Sequence, residues 1–107
     1  MVLASKRCVP CERGGAKLDG PSIMELLPEV PGWNVKNDKL CKTFELEDFM
    51  AAMSFLNRVA ELAEKEGHHP DFCLHHWNHV DFTIFTHAVA GLSENDFILA
   101  AKIDALP

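Results

Sequence analysis

From Glu47 to Glu66 the chain carries neither glycine nor proline, and Gly67 follows at once. Glycine is the usual residue just past a helix end, because it takes the left-handed backbone that closes the last turn. The run therefore predicts one long helix over Glu47 to Glu66, with the acidic groups Glu47 and Asp48 in its first turn at the positive end of the helix dipole. Phe49, Met53, Leu56, Ala60 and Ala63 make one apolar stripe at helical spacing, and Ala52, Phe55, Val59 and Leu62 make a second beside it. Together the stripes are wider than contact with one sheet requires. The helix must be deeply buried, or share part of its face with another subunit.

The flanking segments say what the helix lies against. Upstream, Pro21 and Ser22 precede Ile23, Met24, Leu26 and Leu27, and Ser22-x-x-Glu25 has capping-box spacing, which predicts a short helix stopped by Pro28 or Pro31. Gly32 to Val35 and Lys39 to Leu46 flank Asn37-Asp38, a turn dipeptide, and read as a hairpin. Downstream, Val80, Phe82 and Ile84 alternate with His79, Asp81, Thr83 and Phe85, which predicts a strand from His79 to His87. Phe72 to His76 is its expected partner across Trp77-Asn78. Ser93 opens a last helix through Phe97, Ile98, Ala101 and Lys102. The order α-β-β-α-β-β-α, with short links, predicts an α+β domain of antiparallel strand pairs with the helices packed on one face. Residues 1–19 carry Gly14, Gly15, four basic groups and Cys8-Val-Pro-Cys11 without periodicity, so they are expected to form a tail, leaving 20–107 as the domain.

A chain of 107 residues, 48% of them hydrophobic, has room for one domain with its own core. Sixteen acidic against ten basic residues give a net charge of -6, the wrong sign for binding nucleic acid or anionic lipid. Four cysteines are too few for a disulfide scaffold, and no apolar run suits a signal peptide or a membrane span. A cytoplasmic protein is expected.

Five of the six histidines fall between His68 and His79. His68 and His69 directly follow the glycine cap, at a corner that can aim both rings into a cleft. Imidazole titrates near neutrality, at about 6.5, so two or three such rings supply both a proton donor and an acceptor. That suits acid–base chemistry on a neutral organic molecule. A metal is the competing reading for His75, His76 and His79, with Cys8-x-x-Cys11 as half a zinc motif. No His-Glu-x-x-His and no second Cys-x-x-Cys exists, and alternation sends His75 and His76 to opposite faces of a strand. These three histidines are expected simply to be polar positions of a hairpin, with no metal site.

The run Glu64-x-x-x-His68-His69-Pro70, six residues, Trp77, nine residues, His87, eight residues, Asp96 closely resembles the signature of pterin-4a-carbinolamine dehydratases. Asn57 to Ala60, Ala63 to Lys65, Thr86-His87, Gly91 to Asp96 and Leu99-Ala100 add to the resemblance, as does Gly32-Trp33 upstream. It implies a four-stranded antiparallel sheet with three helices, assembled into dimers or tetramers through sheet edges and the long helix. The implied reaction is loss of water from 4a-hydroxytetrahydrobiopterin to give quinonoid dihydrobiopterin, which recycles the pterin of aromatic amino-acid hydroxylases, without metal or organic cofactor. By position the resemblance implies that His68, His69 and His87 are the catalytic histidines, with His68 and His87 expected to move protons and His69 to hold the pterin. Glu64 would bind the pterin's amino-pyrimidine edge or orient a histidine. Asp96 would orient a histidine or simply complete the capping box that Ser93-x-x-Asp96 spells. Pro70, Thr86, Trp77 and Trp33 are further candidates for substrate binding or orientation. Phe72 stands where many members have tryptophan, and Phe85 where animal members have a small polar residue, a difference expected to narrow the pocket or change pterin preference. Animal relatives also bind a transcription factor, so a protein-docking coactivator is the alternative function, and a zinc-dependent enzyme a third.

Overall fold

The computed structural model of the chain describes residues 3–8 and 17–106. The long run without glycine or proline forms helix α2, Phe49–Glu66. It starts later than its acidic residues suggest: Asp48 is the cap, in extended backbone, and its Oδ1 accepts the Ala51 N–H at 2.7 Å. Glu47 and Asp48 thus precede the first turn instead of occupying it. Gly67 ends the helix in the left-handed region at φ 67°.

Helix α1, Gly20–Leu26, begins before Ser22, because Asp19 does the capping: its Oδ1 accepts the Ser22 N–H at 2.9 Å. The expected Ser22 to Glu25 box is therefore replaced by an aspartate three residues upstream. Pro28 does not stop the chain's coiling but sits in a 3-10 turn, Leu27–Glu29, that carries it to the sheet.

Strands β1 (Asn34–Lys36), β2 (Lys39–Glu45), β3 (Asp71–His75) and β4 (His79–Ile84) form one antiparallel sheet in the order β1-β2-β4-β3. Asn37 and Asp38 take φ 52° and 60° in the first hairpin turn, a conformation asparagine and aspartate tolerate better than most residues. Leu40, Phe44, Val80, Phe82 and Ile84 project to one face and join the core. Cys41, Thr43 and Glu45 align with Thr83, Asp81 and His79 on the other. The expected alternation therefore holds in β4 as far as Ile84. It does not reach His87, which lies in a 3-10 turn, His87–Val89, beyond an isolated bridge between Thr86 and Gly91.

Phe82 sits at the centre of the aromatic packing, with ring centroids 5.6 Å from Phe44, 6.0 Å from Phe55 of α2 and 6.4 Å from Trp33. Helix α3, Glu94–Asp104, buries Phe97, Ile98, Leu99, Ala100 and Ile103 in the same core. Its Asp104 accepts the Trp33 indole N–H at 3.1 Å and the Lys42 ammonium at 2.9 Å, so the buried indole keeps a polar partner. No helix among the described residues is long and apolar enough to cross a membrane.

Residues 3–8, within the segment expected to form a tail, pack on this domain. Leu3, in a 3-10 turn, is buried in the core, and Lys6 pairs with Glu94 at 2.8 Å. The Cys8 N–H donates to Glu66 Oε1 at 2.9 Å, and Lys102 Nζ meets Glu66 Oε2 at 3.0 Å. Burial pushes the Glu66 carboxyl up, but the Cys8 amide and the Lys102 ammonium outweigh it and hold the carboxyl below its ordinary value. A carboxylate depressed in this way stabilises the fold above its unfolded pKa and loses that contribution as pH falls through the folded value. Glu66→Gln should therefore unfold at lower urea than wild type at neutral pH, and the gap should narrow as pH drops below 4.5, the ordinary glutamate value.

Candidate active site

Three segments meet beside the C-terminal end of α2. Gly67 turns the chain, and His68 and His69 follow on the corner that leads through Pro70 into β3. The end of β4 passes through Phe85 and Thr86 to His87, and the Thr86 N–H bonds Gly91 O at 3.0 Å, which closes the connection to α3. Gly67, His68, His69, Phe85, Thr86 and His87 line a cleft of about 200 Å³. The three histidines singled out by spacing therefore share one cavity, although His87 comes from a 3-10 turn and not from a strand.

Asp96 holds the deepest of them. Its carboxylate is fully buried in the first turn of α3, with Oδ1 2.6 Å from His68 Nε2. Oδ2 accepts the Ser93 N–H at 2.8 Å and the Thr86 hydroxyl at 2.8 Å, while Ser93 takes the Asp96 N–H in return. The capping box and the orientation of a histidine, posed as alternatives above, are thus the work of one carboxylate. Having donated to Asp96, Thr86 Oγ1 can accept from Ser93 Oγ at 2.8 Å. A neutral imidazole whose Nε2–H points at a carboxylate presents Nδ1 as its lone pair, so this contact selects the tautomer of His68. His69 is arranged alike but in solvent: its Nε2 lies 2.5 Å from Oε2 of Glu64, on the last turns of α2.

Pro70, Glu64 and His69 also border a neighbouring apolar groove of about 470 Å³ between α2 and β3, lined by Met53, Leu56, Ala60, Phe72 and Leu74 among others. The two tryptophans line neither cavity. Trp33 is a core residue, and Trp77 stands 65% exposed at the tip of the second hairpin.

Of the three hairpin histidines, His76 departs from the expected arrangement, while His75 and His79 are paired polar positions of the strands. His76 and Trp77 take φ 49° and 57°, so His76 leaves the strand's alternation and its Nδ1 comes within 2.6 Å of His75 Nδ1. His75 pairs with Asp81 at 3.0 Å and His79 with Glu45 at 3.5 Å, on the outer face of the sheet. The Thr43 hydroxyl, then His75, hold the Asp81 carboxyl below its usual range. Among the described residues no group of three or more His, Cys, Asp or Glu side chains is placed to hold a metal. Cys11 lies outside the described residues. Burial, and then Glu66, push the Cys8 thiol up to about 12, and its Sγ–H points to Asn95 O at 3.6 Å, which leaves it a poor thiolate ligand.

Sequence reasoning passed over Ser93 as a member of the site; it placed Phe85 at the pocket, where the structure has it in the cleft lining, but did not pair it with His87. Phe85 had a signal: an aromatic ring in the polar half of the β4 alternation. Ser93 had none beyond its cap, because its bond to Thr86 joins two elements.

A model of the family described as pterin 4 alpha carbinolamine dehydratase matches residues 16–106. The chain belongs to this family. It is therefore a dehydratase, an enzyme of the lyase class. A bacterial family member from Rubrobacter xylanophilus is 45% identical over 105 residues, which span 97% of each chain. Pterin-4-alpha-carbinolamine dehydratase 2, mitochondrial, of Arabidopsis thaliana is 46% identical over 109 residues, covering 97% of this chain and 58% of that protein. The crystal structure of a transcriptional coactivator/pterin dehydratase from Brucella melitensis superposes with a TM-score of 0.78 at 32% identity, over 83% of this chain and 96% of that one. This dehydratase, with its four-stranded antiparallel sheet and three helices, thus shares its fold with a solved relative.

The Asp96 network predicts a stability defect from a near-isosteric change. Asp96→Asn puts an amide N–H₂ where one oxygen accepted, leaving at least one buried donor unmet, and urea unfolding should report a loss of about 1–3 kcal/mol.

Proposed function

We propose that the chain converts 4a-hydroxytetrahydrobiopterin to quinonoid dihydrobiopterin by histidine acid–base catalysis, and so returns the pterin to aromatic amino-acid hydroxylases. The observation that carries this reading is the convergence of the His68–Asp96 pair, His69 and His87 on one cleft. The reaction breaks the bond between C4a and its hydroxyl oxygen and removes the proton on N5, as the double bond between C4a and N5 forms. Hydroxide is a poor leaving group, so an acid must protonate it to water, and a base must take the N5 proton.

His68 suits the base. With Nε2–H on Asp96, its Nδ1 is the atom that can accept a proton, and the resulting imidazolium stays beside a buried carboxylate that offsets its charge. His87, with no carboxylate beside its ring among the described residues, is the acid that gives its proton to the departing oxygen. His69 and Glu64, hydrogen-bonded to each other at the rim, hold the amino-pyrimidine edge of the pterin. Thr86 and Ser93 act behind Asp96. The water formed carries the hydroxyl oxygen and the proton from His87, and solvent exchange returns both histidines to their starting states.

A second copy of the chain is the proposed occupant of the apolar groove between α2 and β3. Met53 and Phe72 are exposed there on the wide helix stripe and on an edge strand whose outer side pairs with no other described strand, so a partner would continue both the core and the sheet.

Two measurements test these proposals. In dehydration of freshly generated 4a-hydroxytetrahydrobiopterin, His68→Ala and His87→Ala should each lower kcat by about a hundredfold or more. Wild-type turnover in the double variant would remove the histidine mechanism. On a sizing column, Met53→Glu should shift the protein to a smaller species, and an unchanged elution volume would remove the proposed interface.

A further inference from the structure

His68 and His69 each have a carboxylate behind the ring, Asp96 and Glu64. His87 is held differently. Its ring packs against Phe85, with centroids 4.9 Å apart and planes at 83°. Phe85 is in turn covered by Lys39, whose Nζ lies 5.4 Å from the ring centroid, within the range of a cation–π contact. This arrangement follows from the sheet. The antiparallel register pairs Leu40 with Ile84, so the residues one step beyond, Lys39 and Phe85, come alongside each other at the end of the ladder. Phe85 is half-buried, and it is one of the six residues lining the histidine cleft.

We propose that Phe85 is the positioning residue for His87, an aromatic bracket that does for this imidazole what a carboxylate does for the other two. His87 is exposed and opens a short 3-10 turn, so its own backbone restrains the ring weakly. A flat neighbour at near-perpendicular contact limits rotation of the imidazole, and the Lys39 ammonium in turn holds that neighbour. The benefit appears when an N–H must point at a departing oxygen, since a freely turning ring spends less time aimed at it. The inference rests on reading the cleft as the dehydratase site. Aromatic shape is the property it depends on; leucine would fill much of the space but offers no flat face.

The test compares Phe85→Leu and Phe85→Trp in the full chain, with His87→Gln alongside. Phe85→Leu should lower kcat about tenfold with KM within about twofold of wild type, and Phe85→Trp should restore most of the loss. The ring-proton NMR signals of His87 should also move in Phe85→Leu, as the ring current of Phe85 disappears, while those of His69 stay in place. That readout needs no substrate. Wild-type kcat in Phe85→Leu while His87→Gln is impaired would overturn the bracket and leave the site standing. So would equal losses in the leucine and tryptophan variants, or unmoved His87 signals. Full activity in His87→Gln would overturn the reading of the site itself.

Discussion

The Asp96 carboxylate is the point on which the site's geometry turns. Burying a carboxylate without partners is strongly unfavourable, and here it is sealed from solvent with three donors from three places: His68 after α2, Thr86 after β4 and Ser93 at the start of α3. None of the three donors can drift without leaving an unmet polar group in the interior. The same requirement that lets α3 begin also fixes the corner after α2. Rigidity in the cleft is therefore a by-product of satisfying a helix end.

The sheet divides the remaining histidines from this site. One of its faces is packed with Leu40, Phe44, Val80, Phe82 and Ile84 under the helices, and the other carries Thr43, Glu45, His79 and Asp81 in cross-strand register. His75 and His79 belong to that outer face and are already paired with carboxylates there. His68, His69 and His87 lie outside the strands, at corners and turns where the backbone leaves the ladder. Regular structure supplies the frame, and its interruptions supply the imidazoles.

Much of this was legible from residue types. Absence of glycine and proline gave α2, Gly67 its end, Asn37-Asp38 the first hairpin and Ser93-x-x-Asp96 the start of α3, since each of these signals is local. Spacing brought out His68, His69 and His87 through resemblance to a family that the chain does belong to. Other features were hidden for identifiable reasons. Alternation reports which side of a strand is buried but not where the backbone leaves the strand, so it ran past Ile84 to His87 and sent His76 to the wrong face. Asp19 and Ser22 are both good helix caps, and only the backbone at Gly20 decides between them. The bonds from Thr86 to Asp96 and from Glu66 to Cys8 join residues distant in the chain, where no periodic pattern reaches.

Contacts of the N-terminal residues bear on how the chain is made. Lys6 and Glu94 are separated by 88 positions, and Cys8 and Asn95 by 87, yet Leu3 is part of the core they enclose. During synthesis Leu3, Lys6 and Cys8 would thus wait for α3 before they could pack. Closing so long a loop is entropically unfavourable and comes late, after the sheet and α2 can already have formed. Until α3 emerges, His68 has no Asp96 and Leu3 has no pocket. Assembly of the cleft and docking of Leu3, Lys6 and Cys8 would then be one late event, and a nascent chain stalled before α3 would expose apolar surface at the very place where the finished enzyme is most tightly sealed.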